Sequence, residues 1–143
     1  MDDSKQKIIE TRLVYSGYTK DTSTWETVIY SNGLLEQTVN VGSSFFKRKE
    51  LVVNLEVWLP QEQLTLIYNV VEASQFEEMR GLYIGARNET CHDVRFIRVG
   101  SKSLEVYGAE QQMNDGNQDM GRFVDLWNTI VSVSPFKSCH VHQ

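Results

Sequence analysis

Cys91-His92 and Cys139-His140-Val141-His142 together hold every histidine and both cysteines of the chain. Thiolate and imidazole are the ligands that zinc prefers, so these side chains are the first candidates for site chemistry. In an extended segment neighbouring side chains point to opposite faces. That keeps Cys91 from sharing an ion with His92, and Cys139 from sharing one with His140. The sets that remain are His92 with His140 and His142, or one cysteine with a pair drawn from the tail. Neither has the spacing of paired Cys-x-x-Cys ligands. Buried thiols and a solvated histidine tail account for the same residues without a metal. Catalysis by a cysteine needs a lowered thiol pKa and a third group that orients the imidazole, and adjacency along the chain supplies neither. In an oxidising setting a Cys91 to Cys139 disulfide would pin the tail to the loop before the fifth strand.

Other fragments fall short of a motif. Asp115-Gly116-Asn117-Gln118-Asp119 places oxygen ligands at alternate positions, as a calcium loop does, but the glycine comes late at Gly121 and Leu126 holds the place of the closing glutamate. A polar turn into the last helix, with Asp119 as its cap, is the simpler account. Phe45-Phe46-Lys47-Arg48-Lys49 joins two rings to three cations, a composition able to stack bases and neutralise phosphates. Glu50 follows at once, so a charged turn or strand edge explains it better. Asn88-Glu89-Thr90 is a glycan acceptor only in a secreted protein. The chain has no Gly-rich phosphate loop, no His-Glu-x-x-His pair and no Gly-x-Ser-x-Gly elbow. No cofactor is expected.

Composition narrows the class further. The 143 residues are 41% hydrophobic and 23% charged, an ordinary globular mixture, and their length suits one domain with a real core. A net charge of −5 argues against nucleic acid or an anionic membrane as the partner. No apolar run approaches the ~20 residues that span a bilayer, and the polar start of the chain has no secretory h-region. The expectation is a cytoplasmic protein.

Ile9, Thr11, Leu13 and Tyr15 recur with the period of a half-buried strand. Trp25 to Tyr30 continues the pattern, Ser31-Asn32-Gly33 predicts a type I′ hairpin turn, and Leu35, Gln37, Val39 and Val41 form the returning strand. Leu51, Val53, Leu55 and Val57 alternate with Val52, Asn54, Glu56 and Trp58 in a fourth. Pro60 opens a helix carried to about Met79 by Leu64, Ile67, Tyr68 and Val71. Gly81 to Asp93 reads as a connection. Val94 to Val99 and Leu104 to Tyr107 form a second hairpin, Ala109 to Gln118 a loop, and Phe123 to Val131 a second helix before Pro135.

The expectation is an α+β domain over residues 8–134, with a flexible segment at 1–7 and a tail at 135–143. Its order is ββββαββα, a mostly antiparallel sheet of about six strands with two helices packed on one face. The other face would be open to a protein partner or a second copy of the chain, through Tyr30, Phe45, Phe46, Glu56 and Trp58, with Arg12 as a polar neighbour. This reading is a non-enzymatic inhibitor, immunity-type or regulatory partner. The competing one is a small enzyme or ligand carrier with a pocket between sheet and helices near Tyr68, Tyr83, Tyr107, Cys91 and His92.

Overall fold

Alternation of β-branched and aromatic residues with polar ones makes the first half of the chain extended. The computed structural model describes residues 6–16, 22–41, 51–84 and 93–135. Strands β1 (Lys7–Ser16), β2 (Thr22–Tyr30), β3 (Leu34–Val41) and β4 (Leu51–Trp58) come first. Helix α1 (Gln61–Ala73) and a 3-10 turn at Phe76–Glu78 lead to β5 (Leu82–Ile84), β6 (Asp93–Val99) and β7 (Lys102–Tyr107). Helices α2 (Ala109–Asn114) and α3 (Gln118–Ser132) complete the order. The strands form one seven-stranded sheet of order β4-β3-β2-β1-β6-β7-β5. Its pairs are antiparallel, except that β5 runs parallel to β7.

The fold is α+β as expected, but the sheet is mixed and larger than the pattern predicted, and three helices pack with it. β5 has only three residues, too few to show a period, and β7 lies between it and β6, with β5 and β7 both running opposite to β6 and so parallel to each other. The segment read as a loop after Tyr107 contains α2, a short helix written mostly in polar residues. The first helix ends at Ala73 rather than Met79, because Gln75 turns left-handed (φ 55, ψ 45) and redirects the chain into the 3-10 turn. The Ser31-Asn32-Gly33 connection is not type I′. Gly33 alone takes a positive φ, +95, and its N–H donates to Tyr30 O at 3.0 Å, so the loop is a three-residue turn closed by a left-handed glycine. Asn32 accepts from the Leu34 N–H instead.

Register brings the inward side chains into ranks. Leu35, Ile29 and Ile9 form one across β3, β2 and β1, and Val39, Trp25 and Leu13 another. On these lie Leu64 and Ile67 of α1 and Met120, Phe123, Leu126, Trp127 and Ile130 of α3, in a single core. Each large side chain buried there stabilises the fold by roughly 1.5–3 kcal/mol relative to exposure. The rank between these two is polar, since Thr11, Thr27 and Gln37 are all buried and Gln37 Nε2 donates to Thr27 Oγ1 at 3.4 Å.

Candidate protein-interaction face

Side chains alternate across a strand, so the residues between those of the core must leave the sheet on its other side. Among the described residues no helix lies there. One rank of this face runs Glu56, Glu36, Val28, Glu10, Arg98 across β4, β3, β2, β1 and β6. The next runs Asn54, Thr38, Glu26, Arg12, Phe96, and continues to Glu105 of β7.

Phe96 is the centre of a cationic clasp. Arg12 sits over its ring at 5.2 Å and Arg98 at 5.8 Å, while Arg98 also pairs with Glu10 at 3.5 Å. The guanidiniums cover the ring's negative face with their apolar planes, which keeps an aromatic at the surface without leaving it wholly bare. Beside it a hollow of about 280 Å³ is lined by Lys7, Glu10, Arg12, Glu26, Val28 and Phe96. Among the described residues of this face, the carboxylates Glu10, Glu26, Glu36, Glu56 and Glu105 outnumber the cations Lys7, Arg12 and Arg98, which gives it an acidic balance. Its flanks are apolar: Val52 and Trp58 on β4 are 50% and 63% exposed, and Leu82 and Ile84 on β5 are also exposed.

The residues singled out from sequence occupy different roles. Trp58 and Glu56 project from the uncovered side of β4. Tyr30 belongs to the same side but is buried, and its hydroxyl donates to Glu36 Oε1 at 2.9 Å. Burial, and then that bond to a carboxylate, raise its pKa. It therefore anchors Glu36 rather than projecting. Phe45 and Phe46 lie outside the described residues, as do Cys91, His92, Cys139, His140 and His142. Among the described residues, no group of three or more His, Cys, Asp or Glu side chains is placed to hold a metal ion. Phe96 and Arg98 escaped the sequence reading. In Val94-Arg95-Phe96-Ile97-Arg98-Val99 both alternating sets hold an arginine, so hydropathy does not say which set faces out.

The three tyrosines proposed to ring an interlayer pocket do not meet. Tyr68 is exposed on α1, Tyr83 is buried on the helix side of the sheet, and Tyr107 belongs to the uncovered side, where its hydroxyl donates to Glu105. Tyr83 instead fastens elements together. Its hydroxyl donates to Asp119 Oδ2 at 2.7 Å and accepts from the Arg80 N–H at 2.8 Å, and Asp119 pairs with Arg122, which donates to Ser74 O. Asp119 is thus a link in a network. The cap of α3 is Asn117, whose side chain accepts from the Asp119 N–H. A separate groove of about 380 Å³ lies between α1 and the 3-10 turn, with Tyr68, Val71 and Phe76 as its apolar part and Glu72, Glu77 and Glu78 at its rim.

No family model matches the chain, and no curated protein matches it in sequence. The assignment of function therefore rests on the geometry of these surfaces. No helix among the described residues is long and apolar enough to cross a membrane.

Proposed function

We propose that the protein is a non-enzymatic binding module that docks a basic protein partner onto the uncovered face of its sheet. The observation that carries this reading is the acidic face itself, with Phe96 held against Arg12 and Arg98 at its centre. A central aromatic with arginines, bordered by charge, is the composition that recurs at the energetic centre of protein interfaces. The excess of glutamates favours a cationic partner, both by steering its approach and by discouraging acidic competitors. The layer between sheet and helices is filled by Ile9, Leu13, Ile29, Leu35, Ile67, Phe123 and Leu126, all nearly inaccessible, which supports a binding module over a carrier with an internal cavity.

The test is affinity capture from the native host, with wild-type protein and a Glu26→Lys/Phe96→Ala double variant side by side. A partner retained by the wild type, released by raised salt and lost with the variant supports the reading. Equal capture by both, or a bound partner that is acidic, overturns it.

A further inference from the structure

Among the described residues β4 lies at the edge of the sheet, and its eight residues pair with β3 on one side only. The pairing runs from Leu34↔Trp58 to Val41↔Leu51 without a bulge. The Leu59 N–H donates to Gly33 O at 2.8 Å, which fixes the phase of this antiparallel ladder. Bonded pairs alternate, so Val57, Leu55 and Val53 turn their backbone groups toward β3. Those of Val52, Asn54, Glu56 and Trp58 point away from the sheet. Edge strands of natural proteins are usually blunted by proline, lysine or a bulge, and β4 has none of these.

The sequence of this edge reads almost the same in both directions. About Leu55, Leu51-Val52-Val53-Asn54 mirrors Glu56-Val57-Trp58-Leu59, with Val53 against Val57, Asn54 against Glu56 and Val52 against Trp58. A strand that meets its own copy antiparallel must present such self-complementarity, because a two-fold axis sets each residue against its mirror position. We propose that β4 pairs with β4 of a second copy about a two-fold axis through Leu55, joining two sheets into one continuous sheet.

Both faces of the join agree with this register. On the helix side, half-buried Val53, Leu55 and Val57 meet Val57, Leu55 and Val53 of the second copy, closing an apolar strip. On the other side the exposed Trp58 covers the exposed Val52 of the second copy, and Glu56 faces Asn54 rather than its own equivalent. Shifting the axis to Glu56 would set two carboxylates opposite each other. An axis between neighbouring residues would set outward-pointing backbone groups against residues whose own groups face β3, so no ladder could form. With the axis at Leu55, the outward N–H and C=O groups of four residues in each copy form about eight new hydrogen bonds. The uncovered faces of both copies then lie on one side, so the pairing stands or falls independently of the basic partner.

Leu55 and its mirror form a non-hydrogen-bonded pair with Cα atoms about 4.5 Å apart, within the span of a disulfide. The experiment uses the full chain with Cys91→Ser and Cys139→Ser, adding Leu55→Cys or Asn54→Cys. Light scattering should give twice the chain mass for the parent. Mild oxidation should cross-link Leu55→Cys and leave Asn54→Cys largely single. Asn54→Pro removes an outward N–H and the exposed side-chain bond from Thr38 Oγ1 while sparing the backbone ladder to β3, and Val52→Lys adds charge at an exposed position. Both should give folded monomers by circular dichroism. A monomeric parent, a dimer indifferent to both disrupting variants, or cross-linking through position 54 in preference to 55 would overturn the proposal.

Discussion

Arg95 lies inside the helix-covered layer with 1% of its surface exposed, and its guanidinium rests on the indole of Trp127 at 5.2 Å. The same group donates to Glu110 Oε1 at 2.7 Å. A buried cation is costly unless its charge is met, and here an aromatic face of α3 and a carboxylate from the first turn of α2 meet it together. This explains why so polar a helix as α2 stays against the sheet. Glu110 is half exposed and reaches down to the arginine, so α2 is held by a charge at the sheet as well as by apolar area.

Replacing Arg95 by lysine should therefore destabilise the protein although the charge survives. An ammonium cannot lie flat on Trp127 and also reach Glu110 in the fixed fork of a guanidinium. The expected loss is about 2 kcal/mol for Arg95→Lys and about 1 kcal/mol for Glu110→Gln, because Glu110 is itself half solvated and a glutamine oxygen still accepts from the arginine. Urea titration of the two variants measures both. A larger loss from Glu110→Gln would contradict this account.

Tyr83 makes alkaline pH destabilising. Burial first, and then its bond to Asp119, raise its pKa above the ordinary 10.0. The folded state consequently keeps a proton that the unfolded chain gives up, and stability falls as pH rises past 10.0 toward the folded value. Tyr30 shifts in the same direction and adds to the slope. Tyr83→Phe should lower stability at neutral pH by about 1–3 kcal/mol, because Asp119 and the Arg80 N–H lose a partner. It should also flatten the alkaline loss. Guanidinium unfolding at pH 8 and at pH 11 or so compares the two slopes, and parallel slopes would refute the assignment.

Two backbone positions predict changes of opposite sign. Gly33 sits at φ +95, and a Cβ there would come within 3.1 Å of Leu59 O, so Gly33→Ala should cost about 1–3 kcal/mol. Gln75 adopts the left-handed conformation just past the end of α1, a place that glycine usually fills, so Gln75→Gly should gain about 0.5–1 kcal/mol. Thermal melts of both variants check the signs.

The legible parts of the fold are those in which one side chain set is apolar and the other is not. β1, β3 and β4 announce themselves because Ile9, Leu13, Leu35, Val39 and the Val53-Leu55-Val57 series alternate with polar neighbours, and Trp58 and Glu56 followed from that alternation. α2 gives no such signal. Its buried residues are Ala109 and Gln112, and Gln112 holds its place by donating to Tyr83 O and Tyr107 O, which no hydropathy pattern reveals. β6 misleads for a related reason: Arg95 points into the core and Phe96 out of it. The sequence shows the period of the strand, but only the pairing of β6 with both β1 and β7 fixes which side is inward.

The three tryptophans are in two environments, and this makes β4 observable. Trp25 and Trp127 are 7% and 6% exposed, against 63% for Trp58. Iodide, a charged quencher that stays in water, should therefore reach Trp58 alone. Trp58→Phe should abolish the quenchable, red-shifted part of the emission while changing stability by less than about 0.5 kcal/mol, as befits a surface substitution. If two β4 strands pair, Trp58 is shielded by Val52 of the second copy, so quenching in the wild type should rise on dilution as the copies separate. Quenching independent of concentration, in a sample that light scattering shows to be dimeric, would mean that the copies meet somewhere other than at β4.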